Sequence, residues 1–225
     1  MNLRLPTGVA AADVEPRPLG TAQRAIDDFT AAGGVVDYAL VAVGDTVEDR
    51  LAHRAAAAIC IQQADARAWA WLRARRSAGH GRDVPPPRDL DPDRAAVRRV
   101  ATPEQFVGPY YDWKRRGLTP AWIGNASGSY RISPDDSDFV THGYADAFST
   151  PPYSIGVSLS DCNAWFRTIN DGLFGGLSSD LQVLEWTTDW AEYFEPGLEW
   201  WGAFCWTVRR PGAATITAIC AASTD

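Results

Sequence analysis

The chain has 225 residues, 46% hydrophobic and 22% charged, a balance that excludes a disordered protein and suits one large domain or one domain with a helical extension. Its longest apolar runs, such as AAAAICI at Ala55–Ile61, break well short of the roughly 20 residues a membrane span needs. The net charge of −7 hides an asymmetry, with 17 basic and 15 acidic residues in 1–117 against four and 13 in 118–225, so the second half is poorly suited to gripping phosphates.

The start, MNLRLPTGVAAADVEPRP, has no sustained apolar core before Asp13 and Glu15 and makes a poor secretory signal, so a cytoplasmic protein is expected. TAQRAIDDFTAA (Thr21–Ala32) reads as a short helix closed by Gly33-Gly34, and VVDYALVAV (Val35–Val43) as a strand rich in β-branched residues. Asp45 or Thr46 is placed to cap a long Ala-rich helix over Val47–Ser77. In it Leu51, Ala55, Ala58, Ile59, Gln62, Ala66, Trp69 and Leu72 step along one face at helical spacing. Arg73, Arg75 and Arg76 sit where the helix dipole favours cations and read as a solvated cap, with a basic patch as the other reading.

GHGRDVPPPRDLDPDR (Gly79–Arg94) is dense in proline and charge and reads as a linker or surface loop. It divides the chain into an N-terminal strand and helix segment (1–78), a proline-rich stretch (79–101) and a Trp-rich domain (102–225). PEQFVGPYYDWKRR (Pro103–Arg116) suggests a second helix capped by Thr102, with Pro109 as a kink or break. Beyond it, Pro120–Asn125 and Tyr153–Ser160 read as strands, Asp161–Leu173 as a helix and Leu181–Trp186 as a strand. Asp189 and Glu192 resemble a capping box opening a turn or two of helix over Asp189–Phe194, and Pro196-Gly197 suits a turn.

EWWGAFCWTV (Glu199–Val208) concentrates three tryptophans and a phenylalanine. As a strand it puts Leu198, Trp200, Gly202, Phe204, Trp206 and Val208 on one face, and Glu199, Trp201, Ala203, Cys205 and Thr207 on the other. Neither face is polar, which predicts a central strand covered on both sides, with RRPG (Arg209–Gly212) turning into a closing strand over Ala214–Ala222. Buried indoles need acceptors for their N–H groups, and Glu185, Asp189 or Glu199 could supply them. The fold class is therefore α/β or α+β: a mixed central sheet ending in a C-terminal hairpin, with a long N-terminal Ala-rich helix ahead of it.

No G-x-S-x-G elbow, Walker A loop, dinucleotide fingerprint or H-E-x-x-H motif occurs, so no cofactor and no metal are expected, and no catalytic residue is assigned. The four cysteines stand apart in apolar surroundings and read as reduced, buried thiols. Two functional readings follow. One is a non-catalytic interaction protein whose Asp135, Asp136 and Asp138 meet a basic protein partner. The other is a small-molecule-binding protein or enzyme with a Trp-lined pocket, its candidates Glu185, Trp186, Trp190, Glu199, Trp200 and Trp201, in which a carboxylate serves as acid or base.

The segment VLEWTTDWAEYFEPGLEWWGAFCWTV with the ending ICAASTD resembles the C-terminal signature of a family of small uncharacterised bacterial proteins carrying a W-x-x-Y-F…E-W-W-G run. The resemblance covers Val183–Asp225. Compact, acidic, Trp-rich proteins of this kind are similar in character to bacterial toxin-immunity proteins, which favours the first reading.

Overall fold

A computed structural model describes residues 3–79, 88–119, 143–152, 155–198 and 201–223. The chain order is β1 (Val14–Arg17), α1 (Gln23–Ala31), β2 (Val36–Val43), α2 (Asp49–Ser77), β3 (Val97–Ala101), α3 (Pro103–Val107), β4 (Tyr111–Asp112), β5 (Gly117–Leu118), α4 (Tyr144–Ser149), α5 (Leu159–Phe174), β6 (Gln182–Trp186), α6 (Glu195–Leu198), β7 (Ala203–Arg209) and β8 (Thr215–Ala222). Six strands form one sheet in the order β1-β2-β8-β7-β6-β3, and β4-β5 form a separate small ladder. Every pairing is antiparallel, so of the two classes open to the sequence the fold is α+β, and the mixed sheet resolves to an antiparallel one. Strands from either side of the proline-rich stretch share this sheet, since β2 pairs with β8 from Val36↔Ala221 to Ala42↔Thr215.

The β7–β8 hairpin is the buried centre. Phe204, Trp206 and Val208 face a layer built from α1, α3, α4 and α5, while Cys205 and Ala203 face α2. α2 is covered all round in its first half: the consecutive residues Ala55, Ala56, Ala57 and Ala58, which point to every side of the helix, are fully buried, as are Ile59, Cys60 and Ile61, with Leu3, Leu5, Val9, Leu90 and Ala95 in the same core as the strands. The thiols of Cys60, Cys162, Cys205 and Cys220 are all free and buried. Burial pushes the Cys60 and Cys220 thiols well up and that of Cys162 up to about 11, which keeps them protonated and inert. On the opposite face Tyr38 and Tyr144 share a 2.9 Å hydrogen bond, and the Tyr144 hydroxyl donates to Asn170 Oδ1.

Several local expectations are corrected. The cap of α2 is Glu48, whose carboxylate accepts from Leu51 N at 2.9 Å, in place of Asp45 or Thr46. Thr102 does cap α3 in a capping box with Gln105, but α3 stops at Val107 because Gly108 takes φ +80°, and Tyr111 onward turns into β4. Ile155–Ser158 form no strand; Ser158 instead caps α5, its hydroxyl accepting from Asp161 N. Asp189 and Glu192 form no capping box. Glu192 accepts from Asp89 N at 2.7 Å and Asp189 pairs with Arg94 on the surface. Pro196-Gly197 lies inside α6, and β7 starts only at Ala203, after Gly202 with φ +136°. The strand expected at Pro120–Asn125 lies outside the described residues, as do Tyr153 and Ser154.

Gly172 of α5 packs so closely on α1's approach that an added Cβ would stand 2.9 Å from Thr21 Oγ1 and 3.0 Å from Ala22 Cβ and N. Gly172→Val is therefore expected to lower the midpoint of urea unfolding by at least the equivalent of about 2 kcal/mol, the range of overpacking in a close-packed core.

Candidate interaction surface

The structure separates the tryptophan and carboxylate candidates. Glu185 and Trp186 are adjacent in β6 and so point to opposite faces of the sheet. Glu185 pairs in register with Trp206 and is buried. Arg99 grips its Oε2 through Nε at 3.0 Å and through its terminal nitrogen at 2.6 Å, and Arg98 approaches Oε1 at 3.5 Å. Trp186 and Trp190 lie in the core beneath α2, whereas Trp201 packs on the other core against Phe204. Glu199 and Trp200 fall outside the described residues, as do Asp135, Asp136 and Asp138.

None of the three indoles uses an acid as its acceptor. Trp190 Nε1 donates to Thr187 O at 2.6 Å, Trp201 Nε1 to Thr150 O at 2.8 Å and Trp186 Nε1 to Thr207 Oγ1 at 2.8 Å. The last of these belongs to a relay that sequence reading missed. Thr207 Oγ1 also lies 2.8 Å from His53 Nδ1, reaching from β7 to α2. An indole N–H can only donate, so the Thr207 hydroxyl accepts from Trp186 while it also bridges to His53 Nδ1.

His53 Nε2 has no hydrogen-bond partner among the described residues and sits 3.9 Å from Asp49 Oδ1, which Arg209 holds at 2.9 Å. Burial pushes the His53 pKa down to about 4; Arg209 pushes the same way, and Asp49 and Glu48 oppose. One polar residue inside an alanine run at core spacing was the available signal for this contact.

The exposed chemistry lies elsewhere, on α2 itself. At 29 residues the helix is about 43 Å long, against about 27 Å for the eight-residue β2 beneath it. Its buried residues end at Ala64. Toward its end α2 is tied to the sheet through Arg67, whose guanidinium donates to Asp37 Oδ1 at 2.7 Å while Tyr193 OH donates to Asp37 Oδ2 at 2.8 Å. Beyond this hub, among the described residues, the helix overhangs. Trp71, one turn past Arg67, is 56% exposed, and Trp69 and Leu72 stay partly exposed, so the stripe along one face of the helix is covered only in its first half.

Residues 66–77 hold Arg67, Arg73, Arg75 and Arg76 and no acid, which leaves −11 on the rest of the chain. Each indole of the overhang carries a guanidinium from one turn on: Arg73 lies 5.5 Å from the Trp69 ring centre and Arg75 4.7 Å from that of Trp71. Of the arginines read as a helix cap, Arg73 and Arg75 are thus also indole partners.

Neither a scan against protein-family models nor searches of curated proteins and of solved structures return a match for the chain. Among the described residues no helix is long and apolar enough to cross a membrane.

Two outcomes are expected. Thr207→Val removes the acceptor of Trp186 and the hydrogen-bond partner of His53 Nδ1 at once, and chemical denaturation should show a loss of about 2 kcal/mol or more. For His53 the unfolded ring titrates near 6.5 and the folded ring near 4, so only the unfolded state gains a proton between them. Stability is therefore intact above pH 6.5 and falls by up to about 3 kcal/mol as pH drops toward 4. Denaturation midpoints measured across this window should lose that part of the slope in His53→Gln.

Proposed function

We propose that the protein is a protein-interaction module whose docking element is the overhang of α2. The observation that carries this reading is Trp71, a large indole more than half exposed on a helix that continues past the sheet it packs on. Among the described residues no strand continues beneath it, so its exposure is not explained by packing. Tryptophan and arginine are the residues that dominate binding energy at protein interfaces, and here they alternate on two faces of one helix. The buried half of α2 supports the same reading. It fixes the helix against β2, β7 and β8, so residues 66–77 are presented as a preformed helix and lose little conformational freedom on binding.

Amphipathic helices that enter a groove on a partner use side chains at three- and four-residue spacing, the spacing of Trp69, Leu72 and Arg73 on one face and of Arg67, Trp71 and Arg75 on the other. This proposal shares its class with the interaction reading drawn from the sequence and takes the second half of α2 as its contact surface; Asp135, Asp136 and Asp138 lie outside the described residues.

The test compares the tagged wild-type protein with the double variant Trp69→Ala/Trp71→Ala, each purified from its native host at low salt and examined by native mass spectrometry. Wild type is expected to carry a stoichiometric protein partner and the variant to lose it, with a thermal midpoint unchanged to within the equivalent of about 0.5 kcal/mol. A partner retained by the variant, or a wild-type chain that carries none, contradicts the proposal.

A further inference from the structure

The docking reading can be taken one step further, to the chemistry of the partner, and this inference rests on that reading. We infer that the overhang of α2 enters a protein cleft with an apolar floor and an acidic rim.

Beyond the Arg67–Asp37 pair, residues 68–77 bear three positive charges, Arg73, Arg75 and Arg76, and no negative one, while the remainder of the chain carries −10. The overhang projects about 15 Å along the helix axis. At physiological salt exposed charges are screened over about 8 Å, so a surface facing the end of the overhang meets arginines and little of the acidic body. An acidic rim is attracted there, whereas a basic rim is repelled. The floor must be apolar, since Trp71, Trp69 and Leu72 are what the helix offers between its arginines.

The same geometry selects a protein over a nucleic acid. Single-stranded nucleic acid binds by stacking bases on open aromatic planes, and here both indoles already carry a guanidinium, Arg73 on Trp69 and Arg75 on Trp71. A cleft in a protein can bury each indole and its arginine together, the rim carboxylates accepting from guanidinium N–H groups that the ring face leaves free. A long polyanion would also have to pass the body, where four basic residues face 13 acidic ones in 118–225.

The experiment places a photo-activated benzophenone side chain at the exposed position 74, one turn past Trp71, in the full-length protein, expressed in its native host, and identifies the cross-linked peptide by mass spectrometry. The expected adduct is with a second protein, at a site flanked by aspartate or glutamate. Its yield should fall at least tenfold in Arg73→Glu/Arg75→Glu or when lysis is done at 0.5 M salt. An adduct of undiminished yield in the charge-reversed protein overturns the acidic rim while leaving the docking role of the overhang in place. An adduct with nucleic acid overturns the choice of partner class. A cross-link to this chain's own residues, or no adduct at low salt, overturns both the inference and the docking reading. Arg73→Lys/Arg75→Lys, which keeps the charge, should retain the adduct, and this separates charge from loss of fold.

Discussion

The structure depends on how closely α2 lies on β2, β7 and β8. Four consecutive alanines, Ala55–Ala58, are fully buried along this stretch of the helix, and the small side chains that face the strands let it come near enough for His53 to reach Thr207 directly at 2.8 Å. Larger residues at those positions would lift the helix, break that contact and open the cavity-sensitive core around Ile59 and Ile61. The seam also joins the two ends of the chain. α2 and β2 come from the first third, β7 and β8 from the last, so the N-terminal helix and the C-terminal hairpin stand or fall together.

The same helix changes character at Asp65. Up to Ala64 its composition is that of a core element, alanine with isoleucine and one cysteine. After the Arg67–Asp37–Tyr193 hub it becomes tryptophan and arginine, with no strand beneath among the described residues. Nucleating a helix is the costly step and extending it is not, so the anchored half supplies the nucleus on which the exposed half propagates. Cation–π pairing one turn apart then covers part of each indole without tying it to the body of the protein. Exposed apolar surface of this kind on a rigid element is what an interaction site requires.

Much of the fold was legible from periodicity. The long helix, the strand after Gly34, the strand at Leu181–Trp186 and the closing hairpin all carry patterns that allow one reading each. Legibility failed where geometry beyond a few residues decides. Gly108 ends α3 after five residues by adopting φ +80°, and past Pro109, the kink or break offered by the sequence, the chain enters β4 and does not resume the helix. Trp69 and Leu72 continue the stripe of Ala55, Ala58 and Gln62 without a break, and periodicity cannot say how far along the helix its packing partners extend. The grouping of Glu185 with Trp186 came from proximity in sequence, whereas the alternation of a strand sends them to opposite faces. Glu185 then meets Arg99 and Arg98 from β3, some 86 residues away in sequence for the former, a pairing no local pattern announces.

The central claim is that one continuous helix is half core and half free surface. Native-state hydrogen exchange followed by mass spectrometry of peptides from α2 measures this directly. Amides of residues 53–64 should exchange only with global unfolding, at the slowest rates in the chain, while those of residues 69–77 exchange orders of magnitude faster through local opening of the overhang. Equal, strong protection along the whole helix would mean that residues 66–77 are covered within the protein itself, and the account of a presented docking helix would be contradicted.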